Sequence, residues 1–311
     1  MALEPIFRDA VVFASLLSLL SIGLTLTYLV TKVPNFSHGS IASIGIYVTL
    51  TSGEILRSDP YIFLPLAFLL GGVASLLLFY AAIRPLIVRG AGLVSLMIAT
   101  IAYELVLIAA LNMYADYLTS TFKIASRDFI LRRYDTVIFG QPGVFVISPA
   151  IAIGLVVFLY LFLTKTRFGI AMRAAIEDQA LAGVLGINVR QVYFVSWFLA
   201  GGLGGLAGGM FGLWFQSDPG GGSRILISIF AASVVGGLQN IYGGILGGML
   251  VGLAEILGTD WVSSNFGTWV LSYRPIIPLL AMVIMLFLAP KGLTGINWSH
   301  VLARIRRKEG S

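Results

Sequence analysis

VYFVSWFLAGGLGGLAGGMFGLWF, residues 192–215, contains no charged side chain and crowds glycine along one side. At a helical rise of about 1.5 Å per residue it is long enough to cross a hydrocarbon core about 30 Å thick. Its glycines stand four apart, as in Gly201 and Gly205, Gly204 and Gly208, and Gly208 and Gly212, and the pattern returns at Gly244 and Gly248. Helices in lipid gain nothing by hiding apolar surface from one another, so small residues at i and i+4 hold them together by letting backbones approach. The segment reads as a membrane helix built for close packing, with Gly201, Gly205, Gly208, Gly244 and Gly248 as packing positions. The same smooth faces would also suit a sliding surface or the wall of a path. Gly202-Leu203-Gly204-Gly205-Leu206-Ala207 imitates a dinucleotide fingerprint, but no βαβ context surrounds it and that reading is rejected.

The same character extends over the whole 311-residue chain, which is 58% hydrophobic and 11% charged, with mean hydropathy +0.95. Soluble domains carry about 25% charged residues, so a soluble enzyme and a disordered chain are both excluded. No cysteine is present, and the two histidines, His38 and His300, are too far apart in sequence to suggest a zinc site. No metal site and no cofactor of this chain's own are expected. Apolar runs occupy 10–31, 36–56, 61–83, 91–111, 146–164, 192–215, 225–239, 242–258 and 275–290; the seventh is short and bounded by glycine. The runs are continuous where a β-barrel would alternate. The expected fold is an all-α polytopic membrane protein with about 8–9 transmembrane helices, forming one transmembrane domain over 1–311.

Charge gives the orientation. With the N-terminus outside, the inner face collects Lys32, Arg84, Arg89, Lys165, Arg167, Arg173, Arg190, Lys291 and the basic tail 301–311, with Arg304, Arg306, Arg307 and Lys308. Half of the outer positive charges fall in one long loop, 112–145, where Asp116, Asp128 and Asp135 offset them. Positive-inside bias therefore predicts the N-terminus outside and the C-terminus in the cytoplasm, and it assigns the net charge of +6 to orientation and anionic lipid, not to nucleic acid. Met1 to Ala10 carries Glu4 and Asp9 against Arg8, unlike the positive start of a secretory signal, so the first run reads as a retained helix.

Two polar interruptions break the apolar pattern: Pro34-Asn35-Phe36-Ser37-His38-Gly39-Ser40 and Ser217-Asp218-Pro219-Gly220-Gly221-Gly222-Ser223. They follow the first and sixth spans, an odd offset that would set equivalent elements in opposite directions, as in an inverted repeat with broken helices lining a solute path. Ordinary surface turns would look the same. Asn35, Ser37, His38, Gly39, Asn240 and Glu255 are the candidate path residues. Glu104 and Glu255 each lie about 20 Å above the inner end of their spans. Such carboxylates face the bundle interior, a partner or the headgroups. Glu104 reads better as snorkelling or hydrogen-bonded, while for Glu255 that reading and contact with a passing amino group stand even. Finally, the inner loop 165–191 holds a short amphipathic helix around 173–182, stopped or bent by Gly183 and Gly186, suited to the interface or to a groove on a soluble partner.

At this loop the chain resembles the permease subunits of bacterial and archaeal branched-chain amino acid ABC importers, closer to the H-type subunit than to its M-type paralogue. The matching stretches are Asn35-Phe36-Ser37-His38-Gly39, Arg84-Pro85-Leu86, Arg173-Ala174-Ala175-Ile176-Glu177-Asp178 through Gly186-Ile187-Asn188, Leu199-Ala200-Gly201-Gly202, Val235 to Gly244, and Pro290-Lys291-Gly292-Leu293. The resemblance implies a second homologous permease, two cytosolic ATPases holding ATP and Mg, and an extracytoplasmic binding protein that delivers a branched-chain amino acid or related small polar solute. It places an ATPase-coupling helix at Arg173, Ala174, Ala175, Glu177, Asp178, Gly186 and Asn188. The chain carries no phosphate-binding loop of its own, so energy must enter from a partner or from an ion gradient. The alternative is a secondary transporter with Glu104 or Glu255 as the coupling carboxylate.

Overall fold

The computed structural model describes residues 5–295, so the tail 301–311 lies outside the described residues. Thirteen helices follow in order. They are α1 (Pro5–Thr31), α2 (His38–Glu54), α3 (Leu64–Leu78), α4 (Arg84–Val88), α5 (Leu93–Phe122), α6 (Gly143–Lys165), α7 (Arg167–Glu177), α8 (Gln179–Val184), α9 (Val189–Trp214), α10 (Gly221–Arg224), α11 (Leu226–Gly236), α12 (Ile241–Phe266) and α13 (Ile276–Leu288). A wide turn over Phe79–Ile83 joins α3 to α4 without breaking the rod, and one two-residue hairpin pairs Val137–Ile138 with Gln141–Pro142. The chain is an all-α polytopic membrane protein.

Seven of the rods are long and apolar enough to cross a bilayer: 5–31, 60–88, 93–122, 143–165, 189–214, 241–266 and 276–295. In the expected crossings at 36–56 and 225–239 the helices are shorter, α2 and α10–α11, and non-helical chain at 32–37 and 215–220 makes up the rest of each crossing. α5 is longer than the apolar run 91–111 predicts, because the helix continues through the amphipathic stretch Asn112 to Phe122 until Lys123 turns left-handed at φ 58°. The expected outer loop begins correspondingly later.

α1 and α9 stand side by side at the centre and are the most enclosed of the long helices. α12 packs along α1, α3 along α9, and α2 and α11 fill the space between. α5 and α13 lie at the periphery with most of their surface uncovered. The tight contacts come in matched pairs: Gly248 lies against Ser18 and Gly244 against Ile22, while Gly71 lies against Gly201 and Ala67 against Gly205. Exchanging α1 for α9 and α12 for α3 thus maps one seam onto the other, the reciprocity that a two-fold relation requires. Hydroxyls add to the seams: Ser18 Oγ donates to the Ile245 carbonyl at 3.2 Å, Ser21 and Ser233 meet at 3.0 Å, and Thr49 donates to the Gly209 carbonyl at 3.2 Å.

Close approach makes α9 intolerant of side chains where it faces α2 and α3. A methyl group added at Gly208 would overlap the Ala42 carbonyl, whereas one at Gly154 in α6 would meet nothing. Gly208→Ala is therefore expected to lower stability by about 1–3 kcal/mol through overpacking, and Gly154→Ala to be neutral or slightly stabilising. Thermal unfolding of the detergent-solubilised variants, followed by loss of the monodisperse peak, checks the difference.

Candidate functional site

After α1 the chain turns back on itself. Lys32 takes the left-handed conformation (φ 56°), and by His38 the chain is again beside the middle of α1, with His38 Nε2 3.0 Å from the Leu20 carbonyl oxygen. Leu20 lies roughly 16 Å inside the end of α1 at Thr31, so α2 begins within the membrane. The turn that starts it is built by Asn35, whose Oδ1 accepts the Ser37 N–H at 3.1 Å and the Ser37 hydroxyl at 2.7 Å. The second polar interruption is made the same way: Asp218 Oδ1 accepts the Gly220 N–H at 2.7 Å. The backbone bonds correspond too, with His38 donating to Asn35 and Ile41 to Ser37 in one turn, and Gly221 to Asp218 and Arg224 to Gly220 in the other.

These two turns meet. Gly39 and Gly222 lie backbone against backbone, so closely that a methyl group on either would overlap the other's carbonyl. Ser40 Oγ lies 2.9 Å from Ser223 Oγ, and Ser43 Oγ accepts the Gly222 N–H at 2.9 Å. Gly39 stands to Gly222, and Ser40 to Ser223, in the register that relates Ser18 to Gly201 and Ile22 to Gly205. Equivalent residues touching one another mark the pseudo-two-fold axis of the repeat.

Asn35, Ser37, His38 and Gly39 are thus brought together, and the first three have no exposed surface. A solute could reach them only if the surrounding helices moved. Asn240 and Glu255 are elsewhere, roughly 22 Å apart along α12. Asn240 caps α12, accepting the Tyr242 N–H at 3.0 Å. Glu255 is buried and accepts a 2.6 Å hydrogen bond from Arg274 Nε. The Arg274 guanidinium lies 4.6 Å from the Phe13 ring centre and borders an apolar cavity of about 550 Å³ beside Thr259 and Tyr273. Sequence reasoning missed Arg274, since no helical spacing joins it to Glu255 and a turn intervenes. Glu104 is partly buried on α5.

Of the packing glycines, Gly201, Gly205 and Gly208 face α3 and α2, and Gly244 and Gly248 face α1. The inner loop differs in detail. The single helix expected near 173–182 is two, α7 and α8, because Asp178 is extended (φ −146°, ψ 107°) and turns its carboxylate to cap the second, Oδ1 accepting the Leu181 N–H at 2.9 Å. Arg173, Glu177 and Asp178 are exposed, Ala174 is half-buried and Ala175 is buried beneath α7. Gly186, left-handed at φ 81°, ends the unit, and Asn188 caps α9 through the Gln191 N–H at 3.2 Å. One residue outside the expected set ties the loop down: Gln179 Nε2 donates to the Val30 carbonyl at 2.9 Å, and its Oε1 accepts the Tyr193 hydroxyl at 2.9 Å.

Residues 6–288 match the family model described as branched-chain amino acid transport system / permease component. The chain is 42% identical to the probable branched-chain amino acid transport permease protein LivH of Methanocaldococcus jannaschii, covering 96% of this chain and 94% of that protein. It is 27% identical to the high-affinity branched-chain amino acid transport system permease protein BraD of Pseudomonas aeruginosa, over 89% of this chain and 91% of the relative. Among solved structures, a chain of PsaBC from Streptococcus pneumoniae in complex with Fab superposes with TM-score 0.53 at 14% identity, covering 92% and 93% of the two chains. That last likeness speaks to fold alone.

The Glu255–Arg274 pair makes a double-mutant cycle informative. Removing one partner strands the other's charge, at about 3–5 kcal/mol for a fully buried pair; Arg274 is one-third exposed, so roughly 1–3 kcal/mol is expected here. Glu255→Leu and Arg274→Leu should each lower the apparent melting temperature more than the double variant does.

Proposed function

The chain belongs to the branched-chain amino acid transport permease family, and from that membership we propose that it is the membrane-spanning subunit of an ABC importer carrying branched-chain amino acids, or a related small polar solute, into the cell. It works with a second homologous permease, two ABC ATPases that hold ATP and Mg, and an extracytoplasmic binding protein that delivers the solute. The chain hydrolyses nothing itself. Its N-terminus is outside and its C-terminus cytoplasmic, following the bias of Lys and Arg.

The observation that carries this reading is the segment 167–188. Leu181, Val184 and Leu185 are 57%, 85% and 70% exposed, on a tip with charged Glu177 and Asp178 nearby. Apolar side chains held into water on a short helical unit fit a groove on a soluble partner. Gln179 connects that unit to the ends of both central helices, through the Val30 carbonyl on α1 and Tyr193 on α9. Force applied at the tip by closing ATPases would reach α1 and α9 directly, and rotation of one half against the other about the Gly39–Gly222 contact would open and close the path.

The test is reconstitution of the permease with its partner subunits and measurement of ATP-dependent leucine uptake. Val184→Asp with Leu185→Asp should cut uptake at least about tenfold while leaving the permease inserted and folded. Gln179→Leu should leave ATPase binding in place but lower the uptake obtained per ATP hydrolysed. Uptake that persists on an ion gradient without any ATPase would refute the importer reading in favour of a secondary transporter.

A further inference from the structure

Two carboxylates, Glu104 and Glu255, lie more than two turns from either end of their spans, and the structure treats them differently. Glu255 is buried with a guanidinium against it. Glu104 is only partly covered, and among the described residues no ion pair neutralises it. The full length of α5 also changes its depth. Gly92, which precedes the helix, follows the exposed Arg89, and at the other end Asp116 is exposed and paired with Arg127 at 2.7 Å. Glu104 falls midway between Gly92 and Asp116, roughly 18 Å from each. That is the bilayer midplane, beyond the reach of a snorkelling glutamate, and a charge facing acyl chains there is heavily disfavoured.

The side of α5 that carries Glu104 is known from its neighbours. One residue before it, Tyr103 donates its hydroxyl to the Ala74 carbonyl on α3 at 2.8 Å; one turn before it, Thr100 Oγ1 accepts the Phe36 N–H at 3.3 Å. Glu104 therefore stands at the edge of the protomer, one turn from the non-helical segment Asn35-Phe36-Ser37 that precedes α2. Ile101, Leu105 and Val106 occupy the exposed surface beside it. Its depth matches the level at which the two half-helices begin, and in inverted-repeat transporters that level holds the solute.

We propose that Glu104 faces a water-filled path at the margin of this subunit and there binds the ammonium group of the amino acid being carried. The inference rests on the importer reading above and deepens it: the α-ammonium of a zwitterionic solute supplies the counter-charge that the described residues do not. Glu255, already neutralised by Arg274, has a structural part instead.

The absence of cysteine from the chain gives a direct test, because Glu104→Cys places a single thiol on this subunit. In the assembled transporter, a water-soluble cationic thiosulfonate should modify that thiol, leucine should slow the modification, and Val106→Cys should stay unreactive; modification is read from the mass of this subunit. Glu104→Gln should lower leucine uptake roughly tenfold with the complex intact, and Glu104→Asp should recover part of it. An unreactive thiol at 104, or wild-type uptake by Glu104→Gln, overturns the proposal. So does loss of the second permease from purified Glu104→Gln, which would assign the carboxylate to an ion pair between subunits. A wild-type complex that takes up no leucine would sink the importer reading, whereas the thiol modification reads the wetness of position 104 independently of uptake.

Discussion

Only hydrogen fits between the backbones of Gly39 and Gly222, and the arrangement of the chain follows from that contact. A polypeptide that leaves the helical conformation inside a bilayer exposes N–H and C=O groups to a medium that cannot hydrogen-bond them, so such a break survives only where protein encloses it. Here each broken segment encloses the other. Asn35 and Asp218 satisfy the first N–H groups of their own turns, Ser43 takes the Gly222 N–H, and Ser40 and Ser223 satisfy one another. A side chain at either glycine would separate the turns and open both sets of polar groups to lipid. The close seams of α1 with α12 and of α9 with α3 are what bring the two turns to the same depth.

Hydropathy and length made most of this architecture readable from sequence, because in lipid a crossing helix has little choice of composition. The nine apolar runs all correspond to helices, and the odd offset between the polar interruptions correctly pointed to paired broken elements. Boundaries were less legible where polarity and helix coexist. Asn112 to Phe122 looks like loop by composition, yet its polar side chains lie at the water-facing end of a continuous helix. Asp178 lies within a stretch of high helix propensity and breaks it, since its carboxylate gains more by capping α8 than by continuing α7.

The partnerships were the least legible part. Arg274 meets Glu255 across a turn, Gln179 meets Val30 and Tyr193 across separate elements, and Arg132 reaches both the Trp214 carbonyl and Asp9 from a loop. None of these pairs has a local spacing that helix geometry would flag, because each depends on how distant segments pack. The polar residues Asn35, Ser37 and His38 show the opposite limit. Their composition marks them as unusual, but only their complete burial shows that they hold the repeat axis together inside the subunit.

This distribution of polar groups bears on where movement can occur. An interior sealed by glycine contacts and hydroxyl pairs resists opening, since a partial separation would leave several groups unsatisfied together. The periphery is different: α5 and α13 are held by few contacts and present apolar surface along most of their length. A solute path is therefore less costly to form along the margin of the subunit than through its axis. On the proposed coupling, Gln179 pulls on α1 and α9 as rigid central rods, and the axis serves as the pivot about which those rods turn. The displacement then grows with distance from Gly39 and Gly222, so that it is largest at the peripheral helices, where the midplane carboxylate of Glu104 lies.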